Sequence, residues 1–358
     1  MLTVGPWRAA GLAVVCLVAP LSACSRKAPK PAAVTQSAPV SSAVLQPAST
    51  SASSAAPSSS SSAPAPAAIS ASPLTDGARH PLTGGVEPVG PVVAVKIDNT
   101  RPALPQSGLS QADVIYQEAV EGGLTRLCAI YSTQQPSLVG PVRSARETDV
   151  ELLGQYGKID FAFSGANAGV LRTVRNSALK DARWDAYPGA YQELAGRKAP
   201  YRLYVSLPNL LSRVPAALAK DVGFRFGDVS SAARTAQQVT VPWPSTTNVA
   251  KYDDVTQRWT VSLNGREQVT VDNVVVQFVK TNLSKYSDVA GNRSPLSRTI
   301  GSGAVKVFRD GKVVTGRWQR SALSAPTLMS DEAGASLRLR PGTTFVMLVP
   351  NSVNLTVR

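Results

Sequence analysis

The stretch Gly140-Pro141-Val142-Arg143-Ser144-Ala145-Arg146-Glu147 concentrates more chemistry than any other part of this chain. Ser144 and Glu147 stand at capping-box spacing, which predicts a helix start there, and Arg143 and Arg146 flank it. The free N–H groups and dipole of a helix start favour an anion, and arginine grips phosphate or carboxylate in a bidentate way that lysine cannot. Arg143, Ser144 and Arg146 are therefore candidates for an anion site. The same arginines could instead pair internally with Glu118 or Glu121 and lock a hairpin to the helix, and the spacing leaves both arrangements open. Glu118, Glu121 and Asp98 could act as acid–base carboxylates or hard-cation ligands, against ion pairing or plain solvation. With Arg126, these residues make up the candidate binding set.

Other chemistries are thinly supplied. His80 is the only histidine, so a Ser-His-Asp triad or a Cys-His dyad would have to use it. A multi-histidine zinc site is excluded, and with it the common metalloamidases of the cell wall. Cys128 lies in the alternating run 124–132, where a buried structural cysteine is expected. Ser177-Ala178-Leu179-Lys180 matches the Ser-x-x-Lys of penicillin-binding proteins, but about one such match arises by chance in so serine-rich a chain. Its companion motifs do not follow in order, and Lys280-Thr281-Asn282 is a poor stand-in for Lys-Thr-Gly. Trp184, Tyr187, Tyr191 and Tyr201 near Arg183, Arg197 and Arg202 could form a carbohydrate or peptide surface, or simply pack as loop. No glycine-rich nucleotide loop occurs, and neither a cofactor nor a metal is expected. The reading is a binding protein. A non-metallo wall hydrolase using Glu118 and Glu121 is the alternative.

The elements that must position these residues follow from periodicity. Residues 91–97 predict a strand ending in the polar turn 98–102. Residues 112–120 and 124–132 predict two strands joined by Glu121-Gly122-Gly123 as a hairpin. A helix with Val150, Leu153 and Tyr156 on one face should follow the capping box, then a strand at 159–163 and a helix carrying Val170, Leu171 and Val174. A strand at 201–205 and a helical segment near Leu210 close this half. Beyond Pro242-Trp243-Pro244 strand patterns dominate: 260–263 before Asn264-Gly265, 273–279, 305–308 and 312–315 around Asp310-Gly311, and 343–349. The expected fold class is α+β, an N-terminal α/β domain with a mixed sheet (76–235) followed by a mainly β C-terminal domain (236–358).

Residues 9–20 form an apolar run of about 18 Å as a helix, well short of the roughly 30 Å hydrocarbon core of a bilayer. Leu21-Ser22-Ala23-Cys24 follows directly, as in a lipoprotein signal cleaved before an acylated Cys24. Residues 1–23 are thus expected to be the signal peptide. Residues 24–75, nearly all Ser, Ala and Pro without one acidic group, should form a disordered tether about 40 Å in root-mean-square length. Of the net charge of +14, +10 belongs to the folded head. An excess of that size outside a cell suggests an anionic partner, either a wall polymer or an envelope protein, with membrane lipid held through Cys24 and no nucleic acid. The expected location is the extracytoplasmic face of the membrane of a Gram-positive, high-GC bacterium.

Leu109-Ser-Gln-Ala-Asp-Val-Ile-Tyr116, Glu121-Gly-Gly-Leu-Thr-Arg126 and Gly140-Pro-Val-Arg-Ser-Ala-Arg146 together resemble the YerB-type lipoprotein family. In the second half, Asn273-Val-Val-Val-Gln277, Val307-Phe-Arg-Asp-Gly-Lys312 and Leu339-Arg-Pro-Gly-Thr343 are similar to that family's C-terminal domain. The resemblance covers about residues 82–350. It implies two successive α+β domains on an anchored envelope protein, and it implies no reaction. Residues 282–303 match no motif of the family and are expected to be a variable loop.

Overall fold

Val93-Ala94-Val95 opens a strand with no polar alternation, the pattern of a strand covered on both faces. The computed structural model describes residues 79–229, 232–288 and 291–358, and in it β1 (Val93–Asp98) is buried at every position. The expected signal, Cys24 and the tether lie outside the described residues. β2 (Val114–Ala119) and β3 (Thr125–Tyr131) are buried throughout as well and form the expected hairpin, with Gly122 and Gly123 both at φ of 69° in the turn. After them come α1 (Glu147–Leu153), β4 (Asp160–Ala162), α2 (Ala168–Arg175) and β5 (Lys180–Asp181), then β6 (Tyr191–Glu193), β7 (Leu203–Val205) and α3 (Leu207–Leu211).

Among the described residues of the second half every regular element is a strand: β8 (Arg234–Thr235), β9 (Gln238–Pro242), β10 (Thr247–Asp253), β11 (Arg258–Leu263), β12 (Arg266–Val271) and β13 (Asn273–Val279) come first. β14 (Thr281–Ser287), β15 (Arg293–Ser297), β16 (Gly301–Arg309), β17 (Lys312–Arg320), β18 (Leu328–Asp331), β19 (Thr344–Pro350) and β20 (Thr356–Val357) complete it. The stretch expected as a variable loop is therefore the hairpin β14–β15, a separate two-stranded arm. Its short polar strands gave no apolar rhythm to read.

The fold is α+β around one mixed sheet, in the order β18-β17-β16-β13-β19-β2-β3-β1-β4-β5. The sheet does not divide at the composition change near residue 235. β2 of the first half pairs in parallel with β19 of the second, from Val114 opposite Thr344 to Met347 opposite Gln117. On one face lie α1 and α2, whose Val150, Leu153, Val170 and Val174 are buried against Val114, Ile130 and Phe161. On the other lies the five-stranded antiparallel sheet β12-β11-β10-β9-β20, with Trp259 buried between Tyr252 and Phe308. β1, β2, β4, β13 and β19 all point the same way, so their C-terminal ends share one edge.

A strand built to be buried on both faces cannot sit at an open edge without inviting aggregation. Residues 76–235 expressed alone should therefore aggregate or stay molten, because β2 loses β19. The full chain should unfold in one transition, monitored by circular dichroism and calorimetry. A soluble 76–235 fragment with native near-UV signal would contradict the shared sheet.

Candidate functional site

Side chains alternate along a strand, so every second residue of β1, β3 and β2 shares a face. Ala94, Ile130 and Val114 form the innermost row on the helix side; Lys96, Cys128 and Tyr116 come next, and then Asp98, Arg126 and Glu118. That face thus turns from apolar to charged toward the C-terminal ends of β1 and β2. Lys96 is fully buried and donates to the Glu118 carboxylate and, at 2.7 Å, to Asp149 of α1. Burial by itself would lower the Lys96 pKa, but Asp149 and Glu118 more than reverse this and hold it above the usual value. Burial, then repulsion from Asp149, raises Glu118 to about 7 against the pull of Lys96.

Residues 140–145 fill the gap where β1 and β4 part. Asp98 N–H donates to the Pro141 carbonyl at 2.9 Å and Arg143 N–H to that of Lys96 at 2.8 Å. On the other side Ser164 N–H donates to the Arg143 carbonyl at 3.0 Å and Ala145 N–H to that of Gly165 at 2.9 Å. A Cβ at Gly140, whose φ is 156°, would stand 2.9 Å from the Leu203 carbonyl oxygen, so only glycine admits this close approach. Held extended on both sides, the segment cannot turn helical at Ser144. The cap is Arg146, whose N–H donates to Asp149 at 2.7 Å, so the box read at Ser144 and Glu147 lies two residues too early. The helix is seven residues long, and its start is occupied by this internal carboxylate.

The arginines meet at that edge. Arg143 pairs with Asp98 at 2.7 Å, and Arg146 reaches Glu121 through two guanidinium nitrogens at 2.9 and 3.1 Å. Burial opposes ionisation of Glu121, but hydrogen bonds from Arg146 and Ser294 and the charge of Arg146 hold its carboxyl below the usual range. Both arginines are therefore paired internally, Arg146 with the expected Glu121 and Arg143 with Asp98. Arg126 differs. It donates to the Ser144 carbonyl at 2.9 Å and has no carboxylate at ion-pair distance among the described residues, although it is only 9% exposed. Burial, then the charges of Arg146 and Arg143, pulls it down to about 10, so it stays charged at neutral pH.

Two adjoining cavities, of about 390 and about 260 Å³, open here. Glu121, Arg126, Arg143, Arg146 and Asp288 border both. The larger runs on past Ala166, Asn167, Val170 and Tyr286, and the smaller past Thr100, Val120, Leu124 and Asn292. The arm supplies one wall: Ser294 donates to Glu121, Ser284 to Glu147 at 2.5 Å, and Asn167 to the Ser287 carbonyl at 2.9 Å.

Of the remaining sequence candidates, Ser144 lines the larger cavity but contributes its carbonyl to Arg126 rather than a helix cap. The others lie elsewhere: Glu118 is 1% exposed and borders neither cavity. Cys128 is fully buried, and burial pushes its thiol well above the ordinary value. His80 is buried too, accepting from Leu82 N–H through Nδ1, so that Nε2 donates to Ser132. Ser177 bonds to Val174 and Leu179 within its own turn, while Lys180 donates to the Pro215 carbonyl, so the two do not pair. Of the aromatics, Tyr191 is buried and donates to the Ala182 carbonyl, and Trp184 is exposed. Sequence reasoning missed Lys96, Asp149 and the arm. A lysine inside an otherwise apolar run was the available signal for Lys96.

Removing a buried lysine strands two carboxylates. Lys96→Met should cost about 3–5 kcal/mol, whereas Glu118→Gln, which leaves the Lys96–Asp149 pair intact, should cost far less. In the fold Glu118 keeps a proton that the unfolded chain releases. Its contribution is therefore fully present below the ordinary carboxylate pKa and is lost as pH rises through about 7. Urea titrations across that window should show stability falling with pH, and Glu118→Gln should flatten the slope.

Comparison with known proteins places this geometry in a family. Residues 82–221 match the N-terminal domain of a "Protein of unknown function (DUF3048)", and residues 232–346 match its C-terminal domain. "Putative lipoprotein YerB" of Bacillus subtilis (strain 168) is 43% identical over 86 residues, which span 24% of this chain and 26% of the relative. The crystal structure of YerB protein from Bacillus subtilis superposes with a TM-score of 0.66 at 24% identity, covering 78% of this chain and 99% of that one, a likeness of fold. With both domains present in order, the chain belongs to the DUF3048 family, of YerB type.

Proposed function

We propose that this protein is a lipid-anchored binding module of the bacterial envelope that takes an anionic group of the cell wall against Arg126. The observation that carries the reading is Arg126 itself, a nearly buried guanidinium without a carboxylate partner among the described residues, at the border of two cavities. A largely desolvated arginine gains more from an anion than an exposed one does, because less water competes for its N–H groups. Position supports this. The cleft lies outside the C-terminal ends of parallel strands, where open α/β sheets place their ligands. A carboxylate hydrolase would need Glu118 or Glu121 facing substrate; the first is enclosed with Lys96 and the second is held by Arg146 and Ser294. The lipid anchor rests on the Leu21–Cys24 sequence and on the likeness to a protein named as a lipoprotein.

Full-length protein in detergent should co-sediment with purified wall material in a salt-sensitive way. Arg126→Gln should cut retention roughly tenfold or more, the worth of a charged hydrogen bond, whereas Arg202→Gln, which breaks an exposed pair with Glu193, should not. Equal retention of both variants would overturn the wall-binding reading, as would capture of an envelope protein in place of wall. In cells, Cys24→Ser should move the protein from the membrane fraction to the medium.

A further inference from the structure

The proposed binding site has a shape and a charge balance that narrow its occupant. The cavities share the arginines and then diverge, one along Ala166, Val170 and Tyr286, the other along Thr100, Val120 and Leu124. A chain end carrying a terminal anion would fill one cavity and leave the other empty. A group inside a chain has two continuations, and the site has a space for each. The charge balance points the same way. Asp98, Glu121 and Asp288 border the cleft with Arg126, Arg143 and Arg146, and Asp288 accepts from Asn292 N–H at 2.8 Å within its own turn. Asp98 and Glu121 are taken by Arg143 and Arg146, which leaves Arg126 as the guanidinium to answer an incoming anion, with Asp288 close by. One guanidinium suits a group of single charge better than a phosphate monoester of about −1.5 to −2. The walls beyond the arginines mix small apolar with amide and hydroxyl side chains, suited to neutral hydroxylated segments.

We infer that the cleft holds the interior of a linear anionic polymer, with one in-chain monoanion (a phosphodiester or a uronate) on Arg126 and a neutral neighbouring segment in each cavity. This rests on the proposed anion-binding role of Arg126 and adds the polymer register to it. Such a site binds anywhere along a strand and does not need its end.

The test is calorimetric titration of the detergent-solubilised full chain with four probes: a poly(glycerol phosphate) hexamer capped at both ends, a capped hexauronate, glycerol 3-phosphate and dimethyl phosphate. At least one capped hexamer should bind ten times more tightly than glycerol 3-phosphate, and which one does identifies the anion. Ala166→Trp, in the larger cavity, and Leu124→Trp, in the smaller, should each weaken that hexamer about tenfold while leaving dimethyl phosphate within twofold. Circular dichroism checks that both variants fold. Tighter binding of glycerol 3-phosphate, or sensitivity to only one of the two tryptophans, would overturn the chain-interior register while leaving anion binding intact. Probe binding that ignores Arg126→Gln would overturn both.

Discussion

Lys96 is the constraint on which the rest of the site depends. An ammonium group taken wholly out of water persists only with partners, and this one has two, Glu118 on the same sheet and Asp149 on the helix above it. Asp149 in turn caps its own helix by accepting the Arg146 N–H. A single buried charge therefore fixes where α1 begins and how it sits over β1 and β2. Arg146 is aimed by that start, Glu121 is held by Arg146, and the hairpin turn is held by Glu121. The cleft is the outer end of a chain of pairings that begins in the core.

The pairings also explain why arginines so close together behave differently. Arg143 and Arg146 have carboxylates opposite them and serve as structure. Arg126 shares their enclosure but spends its hydrogen bond on a backbone carbonyl. Neighbouring positive charge and lost water both weigh on it, and an incoming anion relieves both at once. A group that the fold leaves strained in this way is where binding energy can be gained.

Much of this was legible in the sequence. Strands at 273–279, 305–308 and 343–349, the hairpin around Gly122-Gly123 and the helix carrying Val170 and Val174 all follow from local pattern, and the structure has them within a few residues. The pairing of β2 with β19 was not legible, because two strands buried on both faces show no mark of which partner they take. Nor was the helix start. Ser144 has the right spacing to Glu147, but hydrogen bonds to Lys96 on one side and Gly165 on the other hold residues 143–145 extended. The Arg146–Glu121 contact was foreseen as one of two arrangements, whereas Lys96 looked like an ordinary strand residue until its depth was known.

The parallel junction between β2 and β19 has a consequence in time. Val114 is synthesised early and Thr344 close to the end, so the centre of the sheet cannot close until nearly the whole chain is available. Pairings this distant in sequence form slowly, because loop closure must come before any contact repays it. Until then β2 and β3 are a hairpin with one bare edge, and the arm that walls the cleft has nothing to rest on. The protein acquires its cleft, and with it the proposed binding surface, all at once and late, and a nascent or truncated chain presents none of it.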